Sequence, residues 1–514
     1  MMSAPEADPG MTLGELFGGL APASLQGWPV ADLSLDSRRI GPGGLFLAVA
    51  GTREHGLKHA AAAVEAGATA VAWEPGDGLG APRLPEGCVA FAVPELRSRL
   101  GEIADRFFGE PSRRLAVAGI TGTNGKTSCA HLVAGALERL GRRAGMIGTL
   151  GAGPVGALRP SALTTPDVVE VHRCLAELAG LGLGAATMEV SSHALDQGRV
   201  DGVRYAAAAF TNLSRDHLDY HPSIEAYGES KARLFLEHRP AVSVINVSDP
   251  FGRGLVERLP EGARCLVVAR ADDAAGTDFA AQQASVAGHR VLRLGGVEVL
   301  EHGLALTLEG DFRRLALHSG LLGAFNAENI ALAFGVLLAL DTAPAEAAAA
   351  LAEQGAPPGR MEAFPDRVRE VLAVVDYAHT PDALAKALAA LRAHCRGRLW
   401  CVFGCGGDRD RGKRPEMGRI AESLADEVII TDDNPRSEDG VAIVADILGG
   451  LADPGRARVQ RDRASAIRQA LAAAQPGDVV LVAGKGHEEI QIVGDEHRPF
   501  SDRGLVAVLT GAAA

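Results

Sequence analysis

The sequence predicts an α/β protein of three domains with mostly parallel sheets. Three observations lead there. The chain has 514 residues, and a prior of roughly 150 residues per domain gives about three. Short apolar runs recur along it, each passing at once into polar, chemically capable residues, which is the layout of an open sheet with ligands at the carboxyl ends of its strands. One such run, 115–120, leads through a glycine-rich turn into apolar residues at Ala130, Val133, Leu137 and Leu140. That spacing is helical, so the unit reads strand–loop–helix.

The elements follow in order. The first hundred residues mix strand-like runs such as 44–50 with alanine-rich helices, and 74–87 is a Gly/Pro-rich surface loop. The start is acidic and lacks the basic and apolar regions of a signal peptide. After 115–120 come further strand candidates at 185–190, 206–210 and 242–247. The most apolar stretch, 321–340, contains Asn326, Glu328 and Asn329, so it reads as a buried helix and not a membrane span. A boundary falls near 340–344. Beyond it, 371–375, 399–403, 427–431 and 479–483 suggest a second, Rossmann-like α/β domain. The expected domains are 1–112, 113–343 and 344–514.

Composition narrows the function. With 51 basic and 64 acidic residues the net charge is −13, without the basic excess of a nucleic-acid protein. Seven scattered cysteines argue for reduced thiols in a cytoplasmic setting. Cys401 and Cys405 are close, but no suitably spaced partners complete a zinc site, so buried structural cysteine is the better reading. Aromatics are only 4%, which fits helices packed on sheets by small side chains or, equally, codon bias.

The turn after 115–120 is Gly122-Thr123-Asn124-Gly125-Lys126-Thr127-Ser128. Glycines let backbone N–H groups face phosphate oxygens, Lys126 would reach the terminal phosphates, and Thr127 would offer a hydroxyl to Mg²⁺. The strict phosphate-loop pattern needs glycine at 120, where Ile120 stands, so this is a variant. Glu189 ends another strand. Asp216, His217, Asp219 and His221 crowd the end of a third. Glu189 with Thr127, joined by His217, suits Mg²⁺. Zinc is the competing reading of the histidines, and structural polar turns are a third.

Taken together, the motifs resemble one family, the Mur ligases of peptidoglycan precursor synthesis. The resemblance rests on TGTNGKT (121–127), TTP (164–166), MEVSSH (188–193), TNLSRDHLDYH (211–221), Asn326/Asn329, GRME (359–362), DYAHTPDAL (376–384), GCGGDRDRGKR (404–414), DNPR (433–436) and GKGHE (484–488). They occur in family order along nearly the whole chain. The resemblance implies a uridine-nucleotide domain, an ATP domain and an amino-acid domain. It implies an ATP- and Mg²⁺-dependent ligase, a cytoplasmic monomer acting on small molecules, with no nucleic acid and no membrane insertion.

It also implies roles. Lys126, Glu189, His217 and Lys231 would be catalytic, with Lys231 carbamylated to an oxygen ligand for a second Mg²⁺; without the family, Lys231 reads as a helix-surface lysine. Asn326, Arg360, Asp376 and His379 would serve ATP, although Asn326 also fits helix capping. Ser37, Thr164, Thr165, Ser191, Gln197 and Arg199 would hold the UDP-muramoyl-dipeptide, although 36–38 fits a surface turn equally well. Arg409, Asp433, Asn434, Pro435, Arg436, Gly484 and Glu488 would hold meso-2,6-diaminopimelate, with Arg436 reading the carboxylate that lysine lacks. The rivals are a lysine- or folate-directed ligase, a regulator that has lost its chemistry, and a nucleic-acid-binding NTPase.

Overall fold

The computed structural model describes residues 11–51, 54–76, 78–218 and 220–512. The acidic start and Asp219 therefore lie outside the described residues. The chain divides into two compact units: 1–126, 141–243 and 254–264 form one, and 127–140, 244–253 and 265–514 the other.

The first unit opens with four parallel strands, β1 (Asp32–Ser34), β2 (Gly44–Ala48), β3 (Ala68–Trp73) and β4 (Val89–Ala92), ordered as in the chain. Successive side chains on a strand point to opposite faces. So Leu45 and Leu47 join Leu96, Leu100 and Ile103 on one side, whereas Phe46 and Ala48 meet Ala60 and Ala63 on the other.

The same unit continues with β5 (Ala116–Thr121), β6 (Ala144–Gly148), β7 (Gly151–Pro154), β8 (Ala185–Glu189) and β9 (Ala207–Phe210). They run β9-β5-β8-β6-β7, with only the last pair antiparallel. Thr121, Glu189 and Phe210 thus end neighbouring parallel strands, which brings the polar segments after them to one edge.

In the second unit, β10 (Ser243–Asn246), β11 (Cys265–Arg270), β12 (Arg290–Leu300), β13 (Gly303–Glu309) and β14 (Leu315–Ser319) run in sequence order. The pairs β12–β13 and β13–β14 are antiparallel. Strands β12 to β14 were not expected; in β12 the register against β13 shifts between Gly295 and Glu298, so the strict alternation fails there. The apolar stretch folds as the helix Phe325–Ala339, buried over nearly its whole length. Among the described residues no helix is long and apolar enough to cross a membrane.

The remaining sheet holds β15 (Glu362–Asp366), β16 (Val371–Asp376), β17 (Leu399–Phe403), β18 (Glu427–Ile430), β19 (Ala457–Val459) and β20 (Val479–Ala483), in the order β15-β16-β20-β17-β18-β19. All pairs but β15–β16 are parallel. The strands are apolar on both faces: Cys401 and Phe403 enter one core, Trp400 and Val402 the other. Register aligns Ala483 with both Asp376 and Phe403, and Phe403 with Ile430. The loops after four strands therefore emerge side by side. A small ribbon, β21 (Ile490–Val493) and β22 (Glu496–Pro499), follows β20. All seven cysteines are free thiols, with Cys401 and Cys405 buried.

Candidate active site

The phosphate loop joins β5 to the helix Lys126–Arg139. Gly122 and Gly125 both have positive φ, 145° and 84°. A Cβ on Gly122 would collide with Thr211 Oγ1, so the loop needs glycine there for space as well as for conformation. The end of β9 clamps the loop. Thr123 N donates to Asn212 O (2.8 Å), Asn124 N to Asn212 Oδ1 (3.0 Å), and Thr211 Oγ1 to Asn124 O (2.6 Å).

Two lysines converge on this turn. Lys126 Nζ donates to the carbonyls of Gly122 (2.9 Å) and Thr123 (2.8 Å). Lys231 Nζ donates to the same Gly122 carbonyl (2.8 Å) and lies 4.2 Å from the Tyr227 ring centre. The reading of Lys231 as a surface lysine is thereby corrected: its exposure is 1%. Burial, reinforced by the charge of Lys126, holds its pKa well below the ordinary lysine value. Thr127 and Ser128 follow in the first turn of the helix, both half-buried.

Glu189, at the end of β8, is buried. Its two oxygens accept from Thr149 N (2.8 Å) and Thr149 Oγ1 (3.2 Å). Thr149 Oγ1 also meets Thr164 Oγ1 at 3.2 Å. Thr165 Oγ1 donates to the Glu189 carbonyl (2.7 Å) and accepts from Ser191 N (3.1 Å). Arg199 Nη1 donates to the Thr165 carbonyl (3.0 Å), and its Nε and Nη2 donate to Gln197 Oε1 at 2.9 and 2.6 Å. Glu189, Thr164, Thr165, Ser191, Gln197 and Arg199 therefore form one hydrogen-bonded patch. Ser191 also caps the short helix Ser192–Asp196.

His217 has a left-handed backbone, φ 52°. It pairs with Asp216 at 3.6 Å and lies 4.9 Å from the His193 ring and 6.0 Å from that of Tyr227. Among the described residues, no group of three His, Cys, Asp or Glu side chains is set to hold a metal ion. Ser37 lies half-exposed in the turn after β1, where Arg38 pairs with Asp36 at 2.8 Å.

In the second unit, Asn326 is buried inside the first turn of its helix, whose N-cap is Ala324. Its amide donates to Leu322 O (2.7 Å) and its oxygen accepts from Asn329 (2.8 Å), so it does not act as the N-cap. Asp376, ending β16, accepts from Met361 N (2.7 Å) and Ala378 N (2.9 Å); burial raises its pKa. Arg360 lies over the Tyr377 ring at 4.6 Å, and His379 Nδ1 contacts the Tyr377 carbonyl at 2.8 Å.

The loops after β17, β18 and β20 build a second cluster. Asp433 and Asn434 are buried. Burial pushes the Asp433 pKa up, against the pull of Arg463 and Lys485. Gly484, φ 120°, would place a Cβ 2.5 Å from Asp433 Oδ2, so only glycine lets the two loops approach this closely. Asn434 Nδ2 donates to Glu488 Oε2 (2.9 Å). Arg436, half-buried with φ 53°, donates from Nη1 to the Gly407 carbonyl (2.8 Å), which tethers one corner of its guanidinium. Pro435 is buried between Asn434 and Arg436, and Arg409 is exposed on the loop after β17.

Sequence reasoning missed several members of these clusters. Thr149 follows a short run, Ala144–Gly148, in which two glycines flank Met146 and Ile147 and which was not read as a strand. Tyr227 gave no signal outside its helix. Lys485, inside GKGHE, was given no role from the sequence and is fully buried.

Comparison with known proteins agrees along the chain. Residues 29–108 match the Mur ligase family catalytic domain, 120–337 the Mur ligase middle domain, and 359–486 the Mur ligase glutamate ligase domain. The chain is 49% identical over 480 residues to the UDP-N-acetylmuramoyl-L-alanyl-D-glutamate--2,6-diaminopimelate ligase of Xylella fastidiosa, covering 92% of each. It is 48% identical over 491 residues to the enzyme of the same name from Alkalilimnicola ehrlichii, covering 94% of this chain and 95% of the other. A solved structure of a ligase of that name superposes with a TM-score of 0.71 at 33% identity, covering 97% and 98%. With that identity held over nearly the full length and all three domains matched, the chain belongs to the Mur ligase family.

Proposed function

We propose that the protein is an ATP-dependent ligase that adds meso-2,6-diaminopimelate to UDP-N-acetylmuramoyl-L-alanyl-D-glutamate, in peptidoglycan precursor synthesis. The observation that carries the choice of amino acid is Arg436. Diaminopimelate differs from lysine by one carboxylate, and a guanidinium held in a fixed plane recognises a carboxylate through paired hydrogen bonds. The Gly407 carbonyl tethers the Arg436 guanidinium through Nη1.

The reaction has two steps. The terminal D-glutamate carboxylate attacks the γ-phosphorus of ATP, forming an acyl phosphate and releasing ADP. The amine then attacks the acyl carbon, and phosphate leaves. Negative charge gathers at the transferred phosphoryl group and then at the tetrahedral carbon, so positioned cations do most of the work. Lys126 meets the first charge. Thr164, Thr165, Ser191, Gln197 and Arg199 bind the muramoyl-dipeptide, and Ser37 its uridine end. Gly122 to Ser128 bind the phosphates, and Asn326, Arg360, Asp376 and His379 the remainder of ATP. Arg409, Asp433, Asn434, Pro435, Arg436, Gly484 and Glu488 receive the amino acid.

Thr127 and Glu189 are oxygen donors that fit a hard cation. With His217 they would hold Mg²⁺, which when bound neutralises phosphate charge. Few protein ligands suit an ion that keeps water and phosphate oxygens in its shell. Lys231 as its carbamate would add an anionic ligand for a second ion, and its depressed pKa favours the neutral amine that reacts with carbon dioxide.

The test is ADP release with ATP, Mg²⁺ and the UDP-muramoyl-dipeptide, comparing meso-diaminopimelate with L-lysine. Release with diaminopimelate alone is expected. Release with lysine alone overturns the specificity, and release with neither overturns the ligase reading.

A further inference from the structure

Lys485 is the one fully buried lysine of the amino-acid cluster, with 0% exposure. An ammonium in such a place is costly unless each of its protons finds an acceptor. Here all three do: Nζ donates to Asn434 Oδ1 (3.1 Å), Glu488 Oε2 (3.0 Å) and the Ile490 carbonyl (2.6 Å). These acceptors lie on the loop after β18, the loop after β20 and the first strand of the ribbon. Asn434 has a further anchor, since its Oδ1 also accepts from Ile492 N (3.0 Å). Glu488 Oε2 takes the Lys485 and Asn434 side-chain donors, and among the described residues it shows no tie to a backbone N–H.

We propose that Lys485 is the positioning residue of the amino-acid pocket: sealed from solvent, it acts through Glu488, holding that carboxylate in the place and orientation in which it takes the ammonium of the incoming amino acid. The inference rests on the assignment of Glu488 to that pocket. The pairing itself argues for a role beyond packing. A methionine would fill the same volume without burying charge, whereas a lysine fixes a carboxylate by charge and hydrogen bond together. Arg463 does not replace it. That guanidinium is taken up by Asp502, at 2.7 Å through both Nε and Nη2, and by the Ala483 carbonyl at 3.0 Å.

The experiment uses the full chain as Lys485→Met, Glu488→Gln and the double variant, with kcat and the KM values for meso-diaminopimelate and ATP measured on each. Lys485→Met is expected to raise KM for diaminopimelate by about tenfold or more while KM for ATP stays within about twofold. The double variant is expected to stay within about threefold of Glu488→Gln, because the effect of Lys485 on the pocket runs through Glu488, while Asn434, which Lys485 also holds, keeps its anchor on Ile492 N. An unchanged KM in Lys485→Met, an equal rise for both substrates, or a double variant about tenfold worse than Glu488→Gln overturns the proposal while leaving the pocket standing. An unchanged diaminopimelate KM in Glu488→Gln overturns the pocket assignment and the proposal with it. If Lys485→Met fails to fold, the double variant, which removes the buried ammonium together with its half-buried carboxylate partner, still decides by the same comparison with Glu488→Gln.

Discussion

At the scale of single residues, charge placement carries the chemistry. Lys231 donates to the carbonyl that also receives Lys126, and burial with that second cation depresses its pKa. An arginine there would stay charged and could not be carbamylated. Lys231→Arg is therefore expected to lower kcat by roughly 10²–10³ through lost electrostatic stabilisation, with the fold checked by thermal unfolding; a kcat near wild type would refute the role. Arg436→Ala should raise KM for diaminopimelate about ten- to hundredfold, the worth of roughly 1.5–3 kcal/mol in hydrogen bonds to a charged group, with KM for ATP nearly unchanged. Equal effects on both would refute its assignment. The two residues differ in how far the sequence revealed them. Arg436 sits in a motif whose chemistry is plain. Lys231 looked exposed because it was read alone. Read with Tyr227, Ser230 and Leu234, it falls on the buried face of the helix Ile224–Leu236, and a lysine on a core stripe was the signal available.

At the scale of elements, loops are fixed by carboxylates that the active chemistry never touches. Glu438 follows DNPR and gathers the loop after β17. Its Oε1 accepts from Asp408 N (2.6 Å) and Arg414 Nη2 (2.9 Å), and its Oε2 from Arg411 (2.8 Å) and Arg414 Nη1 (3.1 Å). The Arg414 hydrogen bonds, with the Asp408 amide, draw its pKa from 4.5 down to about 2. A carboxylate depressed in the folded state contributes stability above its unfolded pKa and loses it as pH falls through the folded one. The clasp should therefore hold at neutral pH and loosen between about 4.5 and about 2. Amide exchange at Asp408 measures it: protection falls across that window in the wild type, and Glu438→Gln is less protected at neutral pH and loses little more on acidification. Acid loss of the same size in both would exclude Glu438. Elements of this kind were legible in unequal degree. The parallel strands β2, β5, β8, β9, β16, β17, β18 and β20 stood out as apolar runs passing into polar loops, whereas β1, β3, β4, β6, β11 and β19 were not picked out. Nor were β12 and β13, where the shift at Gly295 breaks the period on which such a reading depends.

At the scale of the whole molecule, motif order made the three-domain plan readable, but it could not show how segments group in space. The strand before the phosphate loop belongs to one compact unit, and 127–140 of the helix after it to the other. Contacts between residues distant in sequence decide that grouping, and no local pattern encodes them. The grouping bears on the chemistry in part: the residues proposed to meet the transferred phosphoryl group and the dipeptide fall apart from those proposed to receive the amino acid, although Thr127, Ser128, Asn326, Arg360, Asp376 and His379, proposed for ATP, fall with the latter. Lys126, Glu189, Lys231 and the patch of Thr164, Thr165, Ser191, Gln197 and Arg199 all fall in the first unit. Asn434, Arg436 and Glu488 fall in the second. If acyl phosphate formation needs the former and amine capture the latter, the steps separate by mutation. Hydroxylamine traps an acyl phosphate as a hydroxamate without the amino acid being present. Arg436→Ala should form hydroxamate from ATP and the UDP-muramoyl-dipeptide at close to the wild-type rate while making little tripeptide at low diaminopimelate. Lys126→Ala should lose both, by about 10³ or more, because the phosphoryl charge develops in the first step. Hydroxamate formation lost equally in both variants would mean that Arg436 serves the first step, and the division of labour would fail.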